Sequence, residues 1–235
     1  MARVLILPGP CDYEAIHALQ QRLVALRADD EIGDVILMLE HAPVITVGRK
    51  RDSERHVLAA GDIEVVHIER GGDVTWHGPG QLVAYPIVKL QGRRADLHLH
   101  LRSLEDAVIA TLHGLGLNGQ RDDRNTGVWL PDGGGLPRKV CSIGIACRRW
   151  VSWHGLALNV SPDLTAFGRI EPCGMSAAVM TRVIDHAAAT SVQALYAPLA
   201  IHLGQALDVP IEQIWRPKDS SERAVLRHLD HGGRP

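Results

Sequence analysis

The chain lacks the features that define several classes of protein. No apolar run approaches the ~20 residues that a membrane-spanning helix needs, and the first such run ends at Pro8. The formal net charge of -2 leaves no broad basic field for duplex nucleic acid. The 4 cysteines form no CxxC pair, which favours reduced thiols over a disulfide framework. We therefore expect a cytoplasmic protein with neither nucleic acid nor a membrane as its main partner.

Motifs for common cofactors are also missing. The chain has no GxxxxGK[ST] phosphate loop, and the glycines of GGDVTWHGPG do not have the GxGxxG spacing of a dinucleotide site. No HExxH motif or Cys/His cluster has the spacing of a zinc site. The residues thus imply neither a nucleotide cofactor nor a metal.

The order of predicted elements indicates an α+β fold. Asp12 can cap a helix in which Ile16, Leu19, Leu23 and Leu26 share one face. Further helices are predicted over 94–115 and 191–207. Strands are predicted over 34–48 with a break at 41–43, and over 63–69, 81–90, 128–130, 139–147 and 152–160. This irregular order favours a mixed, largely antiparallel sheet flanked by helices.

The composition changes near the end of the chain. With 235 residues and 46% hydrophobic content, the length suits one large domain with a sizeable core. After Trp215 the sequence becomes polar and charged, ending in Gly-Gly-Arg-Pro. We predict a single domain over 1–216 and a loosely ordered tail over 217–235.

The stretch RGGDVTWHGPGQLVAYPI, Arg70 to Ile87, departs furthest from core-filling composition. Its glycines allow positive φ and a close approach of the backbone to a ligand. Arg70 and backbone amides could hold a carbonyl or a phosphate, with Trp76, Leu82 and Tyr85 as an apolar wall. A plain glycine-rich hairpin is the competing interpretation, and composition does not separate the two.

Two cysteines compete as a nucleophile. Cys173 lies between Pro172 and Gly174, where neither neighbour favours a regular element and a thiol can be held in the open. A thiol with a pKa near 8.5 needs a nearby cation to react at neutral pH. Lys139 is the candidate, because it opens an otherwise apolar strand, although a lysine at a strand edge in water is commoner. Cys141 is close to Lys139 in sequence, but a strand interior should raise its pKa.

Four motifs in order carry a resemblance to a known family. RGGDVTWHGPGQLVAYPI, RKVCSIGI, HGLALNV and FGRIEPCGM together resemble the motifs of lipoyl(octanoyl) transferases, the octanoyltransferases of lipoate synthesis. They span Arg70 to Met175. The resemblance implies the fold of biotin and lipoate protein ligase catalytic domains, and transfer of an octanoyl or lipoyl group through a cysteine thioester.

The resemblance also implies roles for individual residues. Cys173 takes the place of the acylated cysteine, and Lys139 that of the lysine that tunes its pKa. Trp76 stands where many members have tyrosine, and His77 becomes a pocket residue rather than a base. The implied substrate-binding residues are Arg70, Gly71, Gly72, Asp73, Val74, Thr75, Trp76, His77, Ser142, Ile143, Gly144, Gly155, Leu156 and Ala157.

Partners and alternatives follow from the same resemblance. It implies octanoyl-acyl carrier protein as the donor, and it implies two kinds of acceptor: lipoyl domains of 2-oxoacid dehydrogenase E2 subunits and the glycine-cleavage H protein. No cofactor is needed, because a thioester donor already carries an activated acyl group. An ATP-dependent lipoate or biotin ligase is a weaker alternative, since the chain has no GRGRxGR-like stretch. A non-catalytic module that binds acyl groups or lipoyl domains is another.

Overall fold

Two sheets and a set of flanking helices make up the protein. The computed structural model describes residues 1–122, 125–187 and 190–230. The strands are β1 (Ala2–Ile6), β2 (Asp34–Leu39), β3 (Val44–Val47), β4 (Glu64–His67), β5 (Val74–His77), β6 (Gln81–Lys89), β7 (Gln120–Asp122), β8 (Asn125–Leu130), β9 (Arg138–Arg148), β10 (Val151–Asn159) and β11 (Ile211–Trp215). The α-helices are α1 (Tyr13–Ala28), α2 (Leu97–His113), α3 (Val192–Ala206) and α4 (Glu222–Asp230).

The larger sheet has eight strands in the order β11-β1-β2-β6-β10-β9-β8-β7. Strand β1 runs parallel to both of its neighbours, and all the other pairs in this sheet are antiparallel. The smaller sheet has the order β4-β3-β5, with one parallel and one antiparallel pair. The predicted mixed, largely antiparallel sheet flanked by helices is therefore confirmed.

Capping residues start the three long helices. The side chain of Asp12 accepts a hydrogen bond from the amide of Ala15 at 2.8 Å, as the sequence predicted. Asp96 accepts from the amides at the start of α2, and Ser191 accepts from Ala194 at the start of α3. Each cap satisfies an amide that has no partner within its helix.

Both faces of the larger sheet are covered by apolar cores. Helices α2 and α3 pack on one face, and α1 and α4 contribute to the core on the other. Among the described residues, no helix is both long and apolar enough to cross a membrane.

The C-terminal segment differs from the predicted loose tail over 217–235. Helix α4 lies within it, and Val225 and Leu229 of this helix are buried in the core beside α1. These two residues are four positions apart and so share one face of the helix. The last five residues of the predicted tail, 231–235, lie outside the described residues.

The break at 41–43 separates two sheets rather than two strands of one sheet. Strand β2 is central in the larger sheet, whereas β3 is central in the smaller one. The smaller sheet has its own core, in which Trp76 and Phe167 meet edge to face with ring centroids 5.4 Å apart. The chain between the two sheets therefore turns from one core to the other.

The packing of α4 can be tested by shortening its buried side chain. Val225→Ala removes two buried methyl groups and should lower the free energy of unfolding by about 2 kcal/mol. Chemical denaturation followed by circular dichroism measures this loss. Arg223→Ala, at an exposed position of the same helix, is the control and should change it by less than about 0.5 kcal/mol. Equal effects of the two substitutions would show that α4 is not part of the core.

Candidate active site

A cavity of about 450 Å³ lies between the larger sheet and the loop that leads into β5. Strands β9 and β10 supply one wall, and the loop before β5 supplies the opposite wall. The lining residues are Tyr13, Lys50, Arg70, Gly71, Gly72, Asp73, Val74, Thr75, His77, Tyr85, Leu97, His98, Leu101, Asn125, Thr126, Lys139, Ser142, Ile143, Gly144, Ile145, His154, Gly155, Leu156, Ala157 and Pro172.

The predicted substrate-binding residues come together at this cavity, with one exception. Arg70 to Thr75, His77, Ser142 to Gly144 and Gly155 to Ala157 all line it, although they come from three separate parts of the chain. Trp76 does not line it. Because successive side chains of a strand point to opposite faces, Trp76 points into the small core while Thr75 and His77 face the cavity. The cavity wall therefore does not depend on which aromatic residue occupies position 76.

The glycine-rich loop docks on an open edge of β9. Within the described part of the chain, the pairing of β8 with β9 extends only as far as Cys141, and the edge of β9 beyond this point faces the glycine-rich loop. The amide of Gly71 donates to the carbonyl of Ile145 at 2.8 Å on this edge. A side chain at Gly144 would place its Cβ 2.9 Å from the Gly71 carbonyl oxygen, so the close approach requires glycine.

Arg70 brings a buried positive charge to the same wall. Its side chain donates from one guanidinium nitrogen to both the carbonyl and the hydroxyl of Thr46, each at 3.0 Å. The residue is only 8% exposed. These bonds fix the guanidinium in place, so that its charge can act on a group bound in the cavity.

Lys139 is a second buried cation in the lining. It is 3% exposed, and its Nζ lies 5.3 Å from the centre of the Trp129 ring, a cation–π contact. Gly127 has φ +131, and a Cβ there would lie 2.7 Å from Cε of Lys139. Glycine at 127 therefore makes room for the lysine, which the sequence singled out only by its charge in an apolar strand.

The main chain holds the turn that contains Cys173 from both sides. Residues Pro172–Gly174 form a short 3-10 turn, and Pro172 lines the cavity. Before the turn, the amide of Glu171 donates to the carbonyl of His56 at 2.8 Å. After it, the amide of Thr181 donates to the carbonyl of Lys139 at 2.9 Å. The segment that carries Cys173 is thus joined directly to the strand that carries Lys139.

Cys141 lies in a different environment. It is fully buried in the core on the α2 side of the larger sheet and does not line the cavity. Burial raises the pKa of its thiol well above the usual value, and the charge of Lys139 offsets this only in part. Such a thiol is uncharged at neutral pH and a poor nucleophile.

Histidine and tyrosine side chains form a polar cluster at the cavity end next to β6. His41 Nδ1 donates to the carbonyl of Cys11, so its Nε2 accepts the hydroxyl of Tyr85 at 2.8 Å. His77 Nδ1 lies 3.1 Å from Gln81 Oε1. Burial lowers the pKa of His41 to about 4 and holds the pKa of His77 well below its usual value. Both rings are neutral at physiological pH, which is consistent with His77 as a pocket residue rather than a charged group.

His154 shows backbone strain beside the cavity. It has φ +55, which is rare for a residue other than glycine, and its ring lies in the lining. The ladder between β6 and β10 is interrupted here, between Ser152 and Leu156, opposite Pro86. Proline has no amide hydrogen to donate, so the chain can leave the regular ladder at this point. The sequence shows Pro86 inside a predicted strand. It does not show that this proline lies opposite His154 and lets β10 leave the ladder there.

One group of side chains has the arrangement of metal ligands. Of the residues described, His17, Glu69 and His154 each place a ligand atom within 4.8 Å of the other two. His17 Nε2 and Glu69 are already paired at 2.9 Å, and His154 Nε2 has no hydrogen-bond partner. The sequence carries no metal motif here, because the three residues come from distant parts of the chain.

The starts of helices α1 and α2 supply lining residues that the sequence analysis did not foresee. Tyr13 comes from the start of α1, and Leu97 and Leu101 come from the start of α2. Leu97 is 40% exposed although it is apolar, so it lies partly in solvent at the cavity. A periodic apolar helix face predicts burial in the core, and nothing local distinguishes a leucine that covers a cavity.

The fold is that of the lipoate and biotin protein ligase catalytic domains. A bipartite lipoate protein ligase from Thermoplasma acidophilum aligns with 98% of this chain and 92% of its own, with a TM-score of 0.69 and 16% identity. Biotin protein ligase from Leishmania major aligns with 97% and 79%, with a TM-score of 0.52 and 12% identity. At such low identities these likenesses show the fold, and they confirm the predicted one.

Sequence comparison identifies the family. The model of the lipoyl protein ligase A/B catalytic domain matches residues 12–203, and the chain belongs to this family. Octanoyltransferase from Gloeobacter violaceus is 47% identical over 74% of this chain and 76% of its own. Octanoyltransferase from Geobacter sulfurreducens is 42% identical over 89% and 86%. The resemblance drawn from four motifs is confirmed.

The buried histidine cluster predicts a loss of stability in mild acid. The unfolded chain binds a proton at His41 near pH 6.5, whereas the folded chain binds it only near pH 4. Since the unfolded state binds more protons in this window, stability falls as the pH drops from about 6.5 towards 4, by up to about 3 kcal/mol for this residue. Denaturant titrations at several pH values measure the slope.

His41→Asn is the informative variant for this slope. The asparagine amide can still donate to the Cys11 carbonyl but does not titrate, so the slope should decrease by up to one proton. His113→Asn, at an exposed position, should leave it unchanged. An unchanged slope in His41→Asn would contradict the assignment.

Proposed function

We propose that this octanoyltransferase moves the octanoyl group through a thioester on Cys173. The observation that carries the proposal is the junction of three segments at one cavity. The glycine-rich loop docks on β9, the strand that contains Lys139. Residues 180–181, which follow the Cys173 turn, form a backbone bridge with Lys139. The backbone turn that contains Cys173, a buried lysine and the cavity are thus neighbours, which supports acyl transfer through this cysteine.

Lys139 supplies the charge that a thiolate needs. An ammonium about 4 Å from a thiolate, at an effective dielectric near 20, contributes up to ~4 kcal/mol, and desolvation removes part of it. A net lowering of the thiol pKa by one to two units makes the thiolate a large fraction at pH 7. Because Lys139 is almost fully buried, its charge is weakly screened by solvent.

The cavity accommodates a linear acyl chain. Gly144, Gly155 and Ala157 add little side-chain volume to the lining. Ile143 and Leu156 provide apolar surface. Each buried methylene contributes ~0.8 kcal/mol, so neighbouring chain lengths should differ by modest factors in kcat/KM. We expect the guanidinium of Arg70 to hold the thioester carbonyl.

The donor and the acceptors are those that the family resemblance implies. Octanoyl-acyl carrier protein transfers its acyl group to Cys173, which exchanges one thioester for another at little free-energy change. A lysine of a lipoyl domain, in an E2 subunit or the H protein, then attacks and forms a stable amide. ATP is not required at either step. We also propose that the reaction takes place in the cytoplasm.

Mass spectrometry of the acylated protein tests the nucleophile. Incubation with octanoyl-acyl carrier protein should add one octanoyl group at Cys173, and Cys173→Ala should abolish both the adduct and transfer to a lipoyl domain. Cys141→Ala is the matched control and should keep the adduct, because its thiol is outside the cavity. An adduct on Cys141, or none on the native protein, would reject the proposal. Release of pyrophosphate from ATP and octanoate would instead support a ligase.

The role of Lys139 is tested by thiol reactivity. Lys139→Met keeps a long apolar side chain but removes the charge, so alkylation of Cys173 by iodoacetamide at pH 7 should slow by roughly ten- to a hundredfold. Lys218→Met, at an exposed position, is the control and should react at the native rate. A native rate in Lys139→Met would show that this lysine does not stabilise the thiolate.

A further inference from the structure

His17, Glu69 and His154 meet at the junction of helix α1, the loop before β5 and strand β10. Glu69 Oε2 lies 2.9 Å from His17 Nε2 and 3.9 Å from His154 Nε2. Two imidazole nitrogens therefore face the same carboxylate oxygen. Histidine nitrogen and carboxylate oxygen are ligands that zinc takes in proteins.

The separations of these three atoms suit a single metal ion. Zinc lies about 2.0–2.2 Å from nitrogen and oxygen ligands, so two ligands of a tetrahedral site are about 3.4 Å apart. The distances from Glu69 Oε2 to the two imidazole nitrogens lie on either side of that value, and all three atoms are within 4.8 Å of one another. Shifts of about 1 Å would bring all three side chains onto one ion.

His154 has a ring nitrogen that the fold leaves unused. Its side chain is 2% exposed, and within the described part of the chain its Nε2 has no hydrogen-bond partner. Glu69 Oε2, at 3.9 Å, is too distant for a hydrogen bond. A buried polar atom without a partner is costly, and native structures rarely keep one without a reason. An ion held by His17 and Glu69 supplies the missing partner.

Packing holds both imidazole rings in position. Trp153 stacks on the ring of His154 with centroids 4.3 Å apart and on the ring of His17 with centroids 5.5 Å apart. The amide of His154 donates to Oε1 of the buried Gln20 at 3.0 Å, which joins β10 to α1 at this point. Ligands that packing has already ordered lose little side-chain entropy when an ion binds.

The exposed side of the group gives an ion access from solvent. The side chains of Glu69 and His17 are 45% and 18% exposed. Gln21 Nε2 donates to Oε1 of Glu69 at 3.4 Å, which leaves Oε2 for the ion. Burial, helped by the charge of Arg70, lowers the pKa of His154 to about 3, so this ring is in the neutral form that binds metals. Arg70 also repels a cation, so the affinity should be lower than that of a closed four-ligand zinc site.

We propose that His17, Glu69 and His154 bind one divalent transition-metal ion of the zinc type, with water completing its coordination. The bound ion joins α1, the loop that leads to Arg70 and β10 beside the acyl cavity, because the ring of His154 lies in the cavity lining. The proposal does not depend on a thioester at Cys173.

Isothermal titration calorimetry with zinc chloride tests this site. The native protein should bind one Zn²⁺ per chain. His17→Phe keeps an aromatic ring against Trp153 but has no ligand atom, and Glu69→Gln removes the negative charge, so each should weaken binding by about a hundredfold or more. His67→Phe is the matched control, since His67 is 61% exposed and belongs to another histidine–glutamate pair, with Glu54 at 3.1 Å. This variant should bind zinc with native affinity.

Cobalt absorption separates this site from binding to cysteine. Co²⁺ held by nitrogen and oxygen gives visible d–d bands alone, whereas a thiolate ligand adds an intense ultraviolet charge-transfer band. The d–d bands should be present in the native protein and in a Cys147→Ser/Cys173→Ser variant, and lost in His17→Phe. A native protein that binds no zinc, binding that survives both ligand substitutions, or binding that disappears with the two cysteines would overturn the proposal.

Discussion

The candidate site depends on one constraint, the point at which β8 stops pairing with β9. Among the residues that the structure describes, the pairing of β9 with β8 ends at Cys141. The edge of β9 beyond this point accepts the Gly71 amide, and the space left beside it becomes the cavity. An open edge normally invites pairing with another chain, and here a glycine-rich loop of the same chain covers it. If β8 continued along β9, the loop could not dock on this edge and the cavity beside it would be lost.

Buried charge is the second property that the site requires. Arg70, Asp73 and Lys139 are each no more than 8% exposed, and all three line one cavity. Burying a charge is costly unless the protein supplies hydrogen bonds or opposite charges, which Thr46 supplies to Arg70 and which Lys50 and His56 supply to Asp73. In return, each charge acts in a region of low dielectric, where its effect on a thiolate or a carbonyl is larger than in water.

The lipoate ligase of Thermoplasma acidophilum and the biotin ligase of Leishmania major have the same fold and share only 16% and 12% identity with this chain. A scaffold at that distance does not determine the reaction; the residues in the cavity do. In this chain the cavity contains a lysine and adjoins a cysteine turn, and the sequence has neither a phosphate loop nor a GRGRxGR-like stretch. These residues are the ones on which the proposed transfer from a thioester donor depends.

Local features of the sequence determined the helices with their caps, most of the strands, and the segments that build the site. The sequence was sufficient to predict the helix cap at Asp12, the end of a strand at 41–43 and the irregular backbone around Cys173. Capping residues, proline and glycine act on the backbone within a few residues, so their effects are local. Pairing between distant segments decided the rest: β2 and β3 belong to different sheets, β11 joins β1, and Trp76 faces away from the cavity. It also placed His56 beside the turn of Cys173. Periodicity records which face of an element is buried but not what covers it, so only the tertiary structure could bring these groups together.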